Sequence, residues 1–163
     1  MRLGGVYCES VNALYRVVIP MMGLQQLGHE VVDAKQVPGQ PVSIEQLVDC
    51  DVVHIHRLRL EDQLEDPIDR LREAGVVVSI DEDDDMSAGT PEIERLVGAD
   101  NFAVGQRQFA ELLKRLPDAD LVTTPSDVLA DRFEAAGAHV IEVIDNYLLD
   151  QFGGTFPRGM TAS

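Results

Sequence analysis

The chain has 163 residues, the size of one compact domain, and its net charge of −16 results from 13 basic and 29 acidic residues. This charge disfavours a broad contact with nucleic acid or with an anionic membrane, so we expect neither partner and only a local phosphate site, if any. Hydrophobic residues make up 45% of the chain, as in an ordinary globular core, and no apolar run approaches the roughly 20 residues of a membrane helix.

The amino terminus and the cysteines bear on cellular location. Residues 1–7 contain one basic residue and no long apolar stretch, so we predict no secretion signal and a cytoplasmic protein. Cys8 and Cys50 form no Cys-x-x-Cys motif, which leaves a zinc ribbon or a disulfide scaffold without support. We therefore expect two reduced thiols.

Six short β-rich apolar runs recur along the chain and predict six strands. The predicted strands span 3–7, 30–34, 51–57, 76–80, 121–124 and 140–144. Several of these runs are continuously apolar rather than alternating, which is typical of parallel strands covered by helices on both faces.

The first predicted helix follows the first strand, and the second predicted helix follows the third strand. Residues 11–27 have helical spacing of apolar residues, but Pro20 removes an interior hydrogen bond, so we expect a kink or a restart there. A second helix is predicted to begin with Asp66 as N-cap and Pro67 at its first position, and to end at Gly75.

Two more helices follow in the second half of the chain. Apolar residues at 109, 112, 113 and 116 predict a helix that stops at Pro117. Ser126 is the predicted N-cap of a last helix, which ends before Gly137. This alternation of strands and helices predicts an α/β fold, a Rossmann-like doubly wound parallel sheet of about six strands with helices on both faces.

The carboxyl ends of such strands are the usual place for a ligand, and five consecutive carboxylates, Asp81 to Asp85, follow one of them. Carboxylates this close repel one another unless they are solvated, paired with arginine or bound to a cation. Three roles remain open: a solvated structural loop, a group that holds substrate hydroxyls or positions a base, and a metal site for an ion such as Mg²⁺.

Histidine and arginine side chains lie near the same predicted edge. His54 and His56 are two residues apart on one strand and share a face, either as a metal pair or, the interpretation we favour, as hydrogen-bonded crevice residues. Arg16, Arg57 and Arg59 need an anionic partner, which is either the acidic run or a ligand such as a sugar phosphate. The intramolecular pair is slightly favoured.

The first strand-to-helix turn, residues 9–12, carries no known phosphate motif. It lacks both the Gly-x-Gly-x-x-Gly pattern and the P-loop pattern, and no Gly-x-Ser-x-Gly occurs in the chain. Gly4 and Gly5 lie inside the first predicted strand. They fit close packing of a helix better than the binding of a phosphate.

Several segments, taken in order, resemble the N-terminal domain of GT-B fold, family 4-like glycosyltransferases. They read YRVVIP (15–20), LQQLGHEV (24–31), DVVHIHR (51–57), LREAG (71–75), VSIDEDD (78–84), ADLVTTPS (119–126) and VIDNY (143–147). The resemblance extends from about residue 15 to residue 148. Two departures are the missing glycine pair in the first turn and Ile-Asp-Asn at 144–146, where relatives commonly have Pro-Asn.

The resemblance implies a division of labour between two Rossmann-like domains that face each other across a cleft. The N-terminal domain mainly holds the acceptor, the C-terminal domain holds the nucleotide-sugar donor, and no metal or other cofactor is required. The resemblance implies that residues 1–149 form the acceptor-side domain, that the Asn146 segment enters the interdomain linker, and that 150–163 are a linker or tail. The donor domain would then be in another chain or in a second copy, and the chain alone is not expected to be a competent transferase.

The resemblance also suggests which residues act at the cleft. Asp81, Asp83 and His56 are the candidates for the catalytic base. The candidates for binding the acceptor or the donor phosphates are Asn12, Arg16, Arg57, Asp84 and Ser126. These roles come from the family and from the position of each residue at a predicted strand end.

Two other classes of function remain open. The first is a non-enzymatic ligand-binding or regulatory module. Residues 28–33 and 51–53 are also similar to cobalamin-binding domains, although the Asp-x-His-x-x-Gly motif of that family is absent. The second is a Mg²⁺-dependent phosphoryl or nucleotidyl enzyme that uses the carboxylates of Asp81 to Asp85.

Overall fold

The structure is a computed structural model that describes part of the chain. Described are residues 1–144 apart from Glu9, Leu58, 61–62, Leu64 and 88–90, and apart from the side chains of Val11 and Ile93. The predicted boundary at residue 149, the Asn146 segment and the predicted linker over 150–163 lie outside the described residues.

Six strands form one sheet in which all strands are parallel. They are β1 (Arg2–Cys8), β2 (Glu30–Gln36), β3 (Val52–His56), β4 (Val77–Asp81), β5 (Leu121–Thr124) and β6 (Ile141–Val143). Their order in the sheet is β2-β1-β3-β4-β5-β6, and each begins and ends within two residues of its prediction. Because β2 and β3 lie on opposite sides of β1, the strand order reverses there, and the predicted doubly wound α/β sheet is confirmed.

Six α-helices are described between the strands. They are α1 (Val11–Ala13), α2 (Ile19–Gln26), α3 (Pro67–Glu73), α4 (Pro91–Val97), α5 (Ala99–Arg115) and α6 (Asp127–Ala135). The sequence does not predict α4, which is mostly exposed and therefore has no apolar stripe to reveal it.

Helix ends follow the capping residues of the sequence. The Asp66 carboxylate accepts the N–H of Ile68 at 2.9 Å, and the Ser126 hydroxyl accepts the N–H of Leu129 at 3.3 Å. Both predicted N-caps are therefore confirmed. α5 ends in a short 3₁₀ turn that contains Pro117, where the sequence predicts the stop.

Residues 11–26 form what we call the first helical segment, made of α1, a π-helical turn at Leu14–Val18 and α2. The N–H of Ile19 bonds to the carbonyl of Leu14 within the wider turn, directly before Pro20. Because proline cannot donate to the carbonyl four residues earlier, a regular helix cannot continue through this position. The predicted restart is confirmed.

The main hydrophobic core lies on one face of the sheet. α3, α5 and α6 bury apolar side chains against it, among them Ile68, Phe109 and Phe133. A Cβ atom added to Gly4 would lie 2.8 Å from Leu47 Cδ2 on this face. A larger residue there would force the buried side chain of Leu47 to move, so Gly4 allows close packing on this face.

The first helical segment packs on the opposite face of the sheet. Tyr7, Ala13 and Val17 form a small second cluster there, and a Cβ atom added to Gly5 would lie 3.0 Å from Val17 Cγ1. Helices thus cover both faces, as predicted, but unequally. The strand residues aligned on this second face are largely polar: His54, His56, Ser79, Asp81 and Thr123.

The two edge strands differ from the central ones. The exposed residues of β2 are Glu30, Asp33 and Lys35, and β6 has three residues, none of them buried. In the part of the chain that the structure describes, no helix has both the length and the apolar character needed to cross a bilayer.

Candidate functional site

The carboxyl ends of the strands form one rim, and most of the predicted site residues lie on it. His56 ends β3, Asp81 ends β4, and Thr123 lies one residue before the end of β5. The register aligns His56 with Asp81 and Asp81 with Thr123, so the three side chains share the second face of the sheet. This rim includes the point between β1 and β3 where ligands bind in doubly wound sheets.

Asp81 is at the centre of a buried polar network. Its side chain is 1% exposed. Nε of Arg16, from the π-helical turn, donates to Oδ2 at 2.9 Å, and the guanidinium also contacts Oδ1. Nδ1 of His56 lies 2.9 Å from Oδ2, and the hydroxyl of Thr123 donates to Oδ1. Both carboxylate oxygens are therefore occupied by partners within the chain.

The network keeps Asp81 ionised. Burial acts to raise the pKa of Asp81, but the hydrogen bonds from His56 and Arg16 outweigh it and hold that pKa well below its usual range. Burial acts to lower the pKa of Arg16, and the hydrogen bond and charge of Asp81 raise it instead. A carboxylate this acidic is a poor base at neutral pH, so its contacts favour an orienting role for Asp81.

Arg16 joins three elements at this point. Besides Asp81 on β4, it donates from Nη1 to the carbonyl oxygen of Ile144, just after β6, at 2.8 Å. Its side chain is 5% exposed. The intramolecular pair favoured from the sequence is therefore present, and the partner is the first carboxylate of the acidic run.

One ring nitrogen of His56 is a buried polar atom at the rim without a hydrogen-bond partner among the described residues. The residue is fully buried, and its Nδ1 faces the ionised Asp81, which fixes the proton on that nitrogen. Nε2 has no hydrogen-bond partner among the described residues and lies 4.0 Å from Asp83 Oδ1. Asp81 and His56 thus form a hydrogen-bonded pair, and Nε2 of His56 lies on the side of the ring toward Asp83.

Asp83 closes the rim over His56. Arg57 binds its Oδ1 through Nε at 3.0 Å and through Nη2 at 2.6 Å, and the amide of Asn12 donates to its Oδ2. Arg57 also contacts Glu82 and Asp84. The structure thus brings together four predicted site residues, Asn12, Arg57, Asp83 and Asp84, through pairing within the chain.

Arg57 has an unusual backbone conformation. Its φ is +53°, in the left-handed region that non-glycine residues avoid. Such a residue costs about 1–3 kcal/mol and persists only where its surroundings hold it. Here the contacts with the acidic run supply that support.

Glu82 is a site residue that the sequence analysis missed. Its Oε1 accepts the backbone N–H groups of Asp83 and Asp84 at 3.0 and 3.1 Å, and burial raises its pKa to about 6. The prediction gives the five carboxylates one shared role, although successive residues at a strand end alternate between the faces of the sheet. That alternation was the available signal that Asp81 and Glu82 lie in different surroundings.

The acidic run is paired with arginine rather than solvated. The side chains of Asp81, Glu82 and Asp83 are 1%, 8% and 5% exposed, so the idea of a solvated loop is wrong for these three. Arg132, which the sequence analysis did not single out, binds Asp85 at 3.1 Å. Among the described residues, no three His, Cys, Asp or Glu side chains converge as they would around a metal ion.

The remaining predicted residues have local partners. The Ser126 hydroxyl caps α6 at the end of β5. His54 Nδ1 lies 3.1 Å from Ser79 Oγ, a partner that agrees with a hydrogen-bonded histidine, and burial lowers its pKa. The backbone N–H of Arg59 donates to the side-chain oxygen of buried Gln36 at 3.0 Å. The sequence did not suggest this contact.

The rim therefore offers a histidine oriented by a buried carboxylate, beside a second carboxylate held by Arg57 and Asn12. A histidine in this state can take a proton from a hydroxyl group that reaches Nε2. No protein-family model matches this chain, and neither does any curated protein.

Proposed function

We propose that this chain is the acceptor-binding half of a glycosyltransferase. The enzyme would transfer a sugar from a nucleotide-sugar donor, held by a second domain or chain, to a hydroxyl acceptor. The observation that supports this most is the Asp81–His56 pair, which leaves Nε2 of His56 without a hydrogen-bond partner among the described residues, beneath Asp83 at the rim. Transfer to a hydroxyl needs a base of this kind next to the acceptor oxygen.

In the proposed reaction the acceptor oxygen lies next to Nε2 of His56. As the oxygen bonds to the sugar carbon and the bond to the donor diphosphate breaks, His56 takes the hydroxyl proton. Asp81 stabilises the imidazolium that forms, as a buried carboxylate does for a catalytic histidine. Asp83 and Asn12 are placed to hydrogen-bond other hydroxyls of the acceptor.

Access to His56 depends on the contact between Arg57 and Asp83. Nε2 is buried beneath Asp83, so an acceptor enters only when Arg57 and Asp83 move apart. An Arg57 released in this way can stabilise the negative charge of the leaving diphosphate. Arg16 is committed to Asp81 and to the carbonyl of Ile144, which suits a positioning role instead.

Binding measurements on the full chain test the proposal. We expect saturable binding of at least one hydroxyl acceptor from a panel of sugars and sugar alcohols, and no tight binding of nucleotide sugars. Asp83→Asn should weaken acceptor binding about tenfold, since hydrogen bonds to charged groups contribute about 1.5–3 kcal/mol. Asp131→Asn, at an exposed position on α6, is the matched control and should have no effect. Tight nucleotide-sugar binding, or no acceptor binding, contradicts the proposal.

A second candidate is a non-enzymatic ligand-binding or regulatory module. The observation that favours it is that three arginines already pair with the acidic run, so most of its charge is balanced without a substrate. Ligand binding that is unchanged in Asp83→Asn and in His56→Gln supports this candidate. A Mg²⁺-dependent enzyme instead requires a rise in thermal stability at millimolar Mg²⁺, because a ligand of the native state stabilises it.

A further inference from the structure

A cavity of about 420 Å³ lies on the second face of the sheet, between the strands and the first helical segment. Strand residues Leu3, Val52 and Leu121 contribute apolar surface from the sheet, and Ile19 and Leu24 contribute it from α2. The volume is nearly three times the roughly 150 Å³ that holds one benzene molecule. By that ratio the cavity accommodates a ligand of roughly 15 to 18 non-hydrogen atoms.

The rim end of the cavity is closed by Arg16. This side chain lines the cavity and reaches from the π-helical turn to Asp81 and to the carbonyl of Ile144. His56 and Asp83 do not line the cavity. The cavity therefore adjoins the proposed acceptor site through Asp81 and Arg16, but an inference about its apolar lining does not rest on that proposal.

Tyr15, Arg16, Asp81 and Thr123 also line the cavity, and β3 and β4 add one polar pair to it. His54 and Ser79 are aligned in the register of β3 and β4, and His54 Nδ1 lies 3.1 Å from Ser79 Oγ. Burial lowers the pKa of His54, so the imidazole is neutral at neutral pH. The pair presents uncharged hydrogen-bonding groups to whatever fills the cavity.

We propose that this cavity binds an uncharged aliphatic ligand with one hydroxyl group. The chain of the ligand lies along Val52, Leu121 and α2, and its hydroxyl bonds to the His54–Ser79 pair. A long apolar recess with a few placed polar groups is the usual form of a small-molecule site. A fatty-acid anion fits less well, because the chain carries a net charge of −16 and Arg16, the cation in the lining, is already paired with Asp81.

The shape of the recess favours a small molecule over a second copy of the chain. The Arg16 bridge spans one end of it, and the two polar groups lie on strands beneath the level of the helix. A protein surface would have to insert side chains around that bridge.

Calorimetric titration of the full chain with 1-decanol tests the inference. We expect saturable one-to-one binding, at least tenfold weaker in Leu121→Trp, whose larger side chain fills the cavity. Val128→Trp, on α6 at a position that is 76% exposed, is the matched control and should bind as the unmodified chain does. Ser79→Ala should bind 1-decanol about three- to tenfold more weakly, the effect of losing one neutral hydrogen bond.

Several results would overturn the inference. The first is the absence of saturable 1-decanol binding, and the second is equal affinity in the unmodified chain, Ser79→Ala and Leu121→Trp. The third is a dimer in sedimentation experiments that Leu121→Trp abolishes, which would make a second copy the occupant. Decanoate at pH 8 should bind at least tenfold more weakly than 1-decanol, and tighter binding of decanoate would contradict the uncharged head group.

Discussion

Nε of Arg16 lies 2.9 Å from Oδ2 of Asp81, and both side chains are buried. The two residues are far apart in the chain, and their contact ties the first helical segment to the carboxyl end of β4. Removing two charges from water costs as much as their attraction returns, so the pair itself adds little stability. Substituting only one of the two residues leaves an uncompensated buried charge, which lowers the free energy of unfolding.

Removal of one partner of this pair should therefore be more damaging than removal of both. Asp81→Leu leaves the Arg16 guanidinium buried without its carboxylate and should lower the free energy of unfolding by about 3–5 kcal/mol. The double variant Arg16→Met with Asp81→Leu should recover more than half of that loss. Urea unfolding of the unmodified chain, the two single variants and the double variant measures this. Additive effects of the two substitutions would contradict it.

Glu82 should make the protein less stable as the pH rises from about 4.5 to about 6. Burial raises the pKa of its carboxyl group from 4.5 to about 6, so the folded state binds the proton more tightly than the unfolded chain. The free energy of unfolding therefore falls across this range, and the cost of the buried charge is complete above it. At 1.36 kcal/mol for each unit, the cost at pH 7 is about 2 kcal/mol.

The variant Glu82→Gln isolates this effect. Glutamine keeps an oxygen that accepts the N–H groups of Asp83 and Asp84 but carries no charge. At pH 7 it should be more stable than the unmodified chain by about 1–2 kcal/mol, and the difference should vanish below pH 4. Urea unfolding at pH 4, 5, 6 and 7 measures it. A difference that does not change with pH would show that the charge of Glu82 is not responsible.

Two glycines should respond in opposite ways to alanine. At Gly4 the new Cβ atom would lie 2.8 Å from Leu47 Cδ2 and 3.0 Å from Val53 Cγ2, both in the core, and overpacking of this kind costs about 1–3 kcal/mol. Gly23 lies within α2 with open space around it, and alanine there should stabilise the helix by about 0.5–1 kcal/mol. Thermal unfolding compares the two. A stable Gly4→Ala would show that the sheet and the 3₁₀ turn at Ile44–Gln46 separate easily.

Ser126 distinguishes a capping role from a binding role. Ser126→Ala removes the hydroxyl that accepts the Leu129 N–H and should cost about 1 kcal/mol, whereas Ser126→Asp keeps an N-cap acceptor and should cost little. Any acceptor found for the rim is then titrated into Ser126→Asp. Weakened binding in this stable variant would support the substrate-binding role predicted from the sequence, and unchanged binding would leave the serine as a cap alone.

The sheet and the helix ends could be predicted because local patterns determine them. The valine-rich run at 76–80 is too apolar for an edge, and it forms a central strand. Asp66 and Ser126 act as caps because an oxygen there reaches an N–H two or three residues later, which needs no distant partner. His54 and His56 share a face because side chains alternate along a strand.

The site could be predicted only in part because its contacts join distant residues. The sequence indicated that arginines near the rim need carboxylate partners. That Arg16 binds Asp81, while Arg57 binds Asp83 and Asp84, depends on how the helical segment crosses the sheet. The cavity was missed for a related reason. The alternation of side chains placed His54 and His56 on one face, but how the first helical segment lies over that face depends on contacts between distant residues.

The composition of the outermost strands has a consequence for behaviour at high concentration. An unpaired strand edge is a template on which another chain can add a strand and begin to aggregate. On β2 the exposed positions are Glu30, Asp33 and Lys35, and β6 offers only three residues. The charged residues of β2 and the short length of β6 therefore make it unfavourable for another molecule to add a strand at either edge.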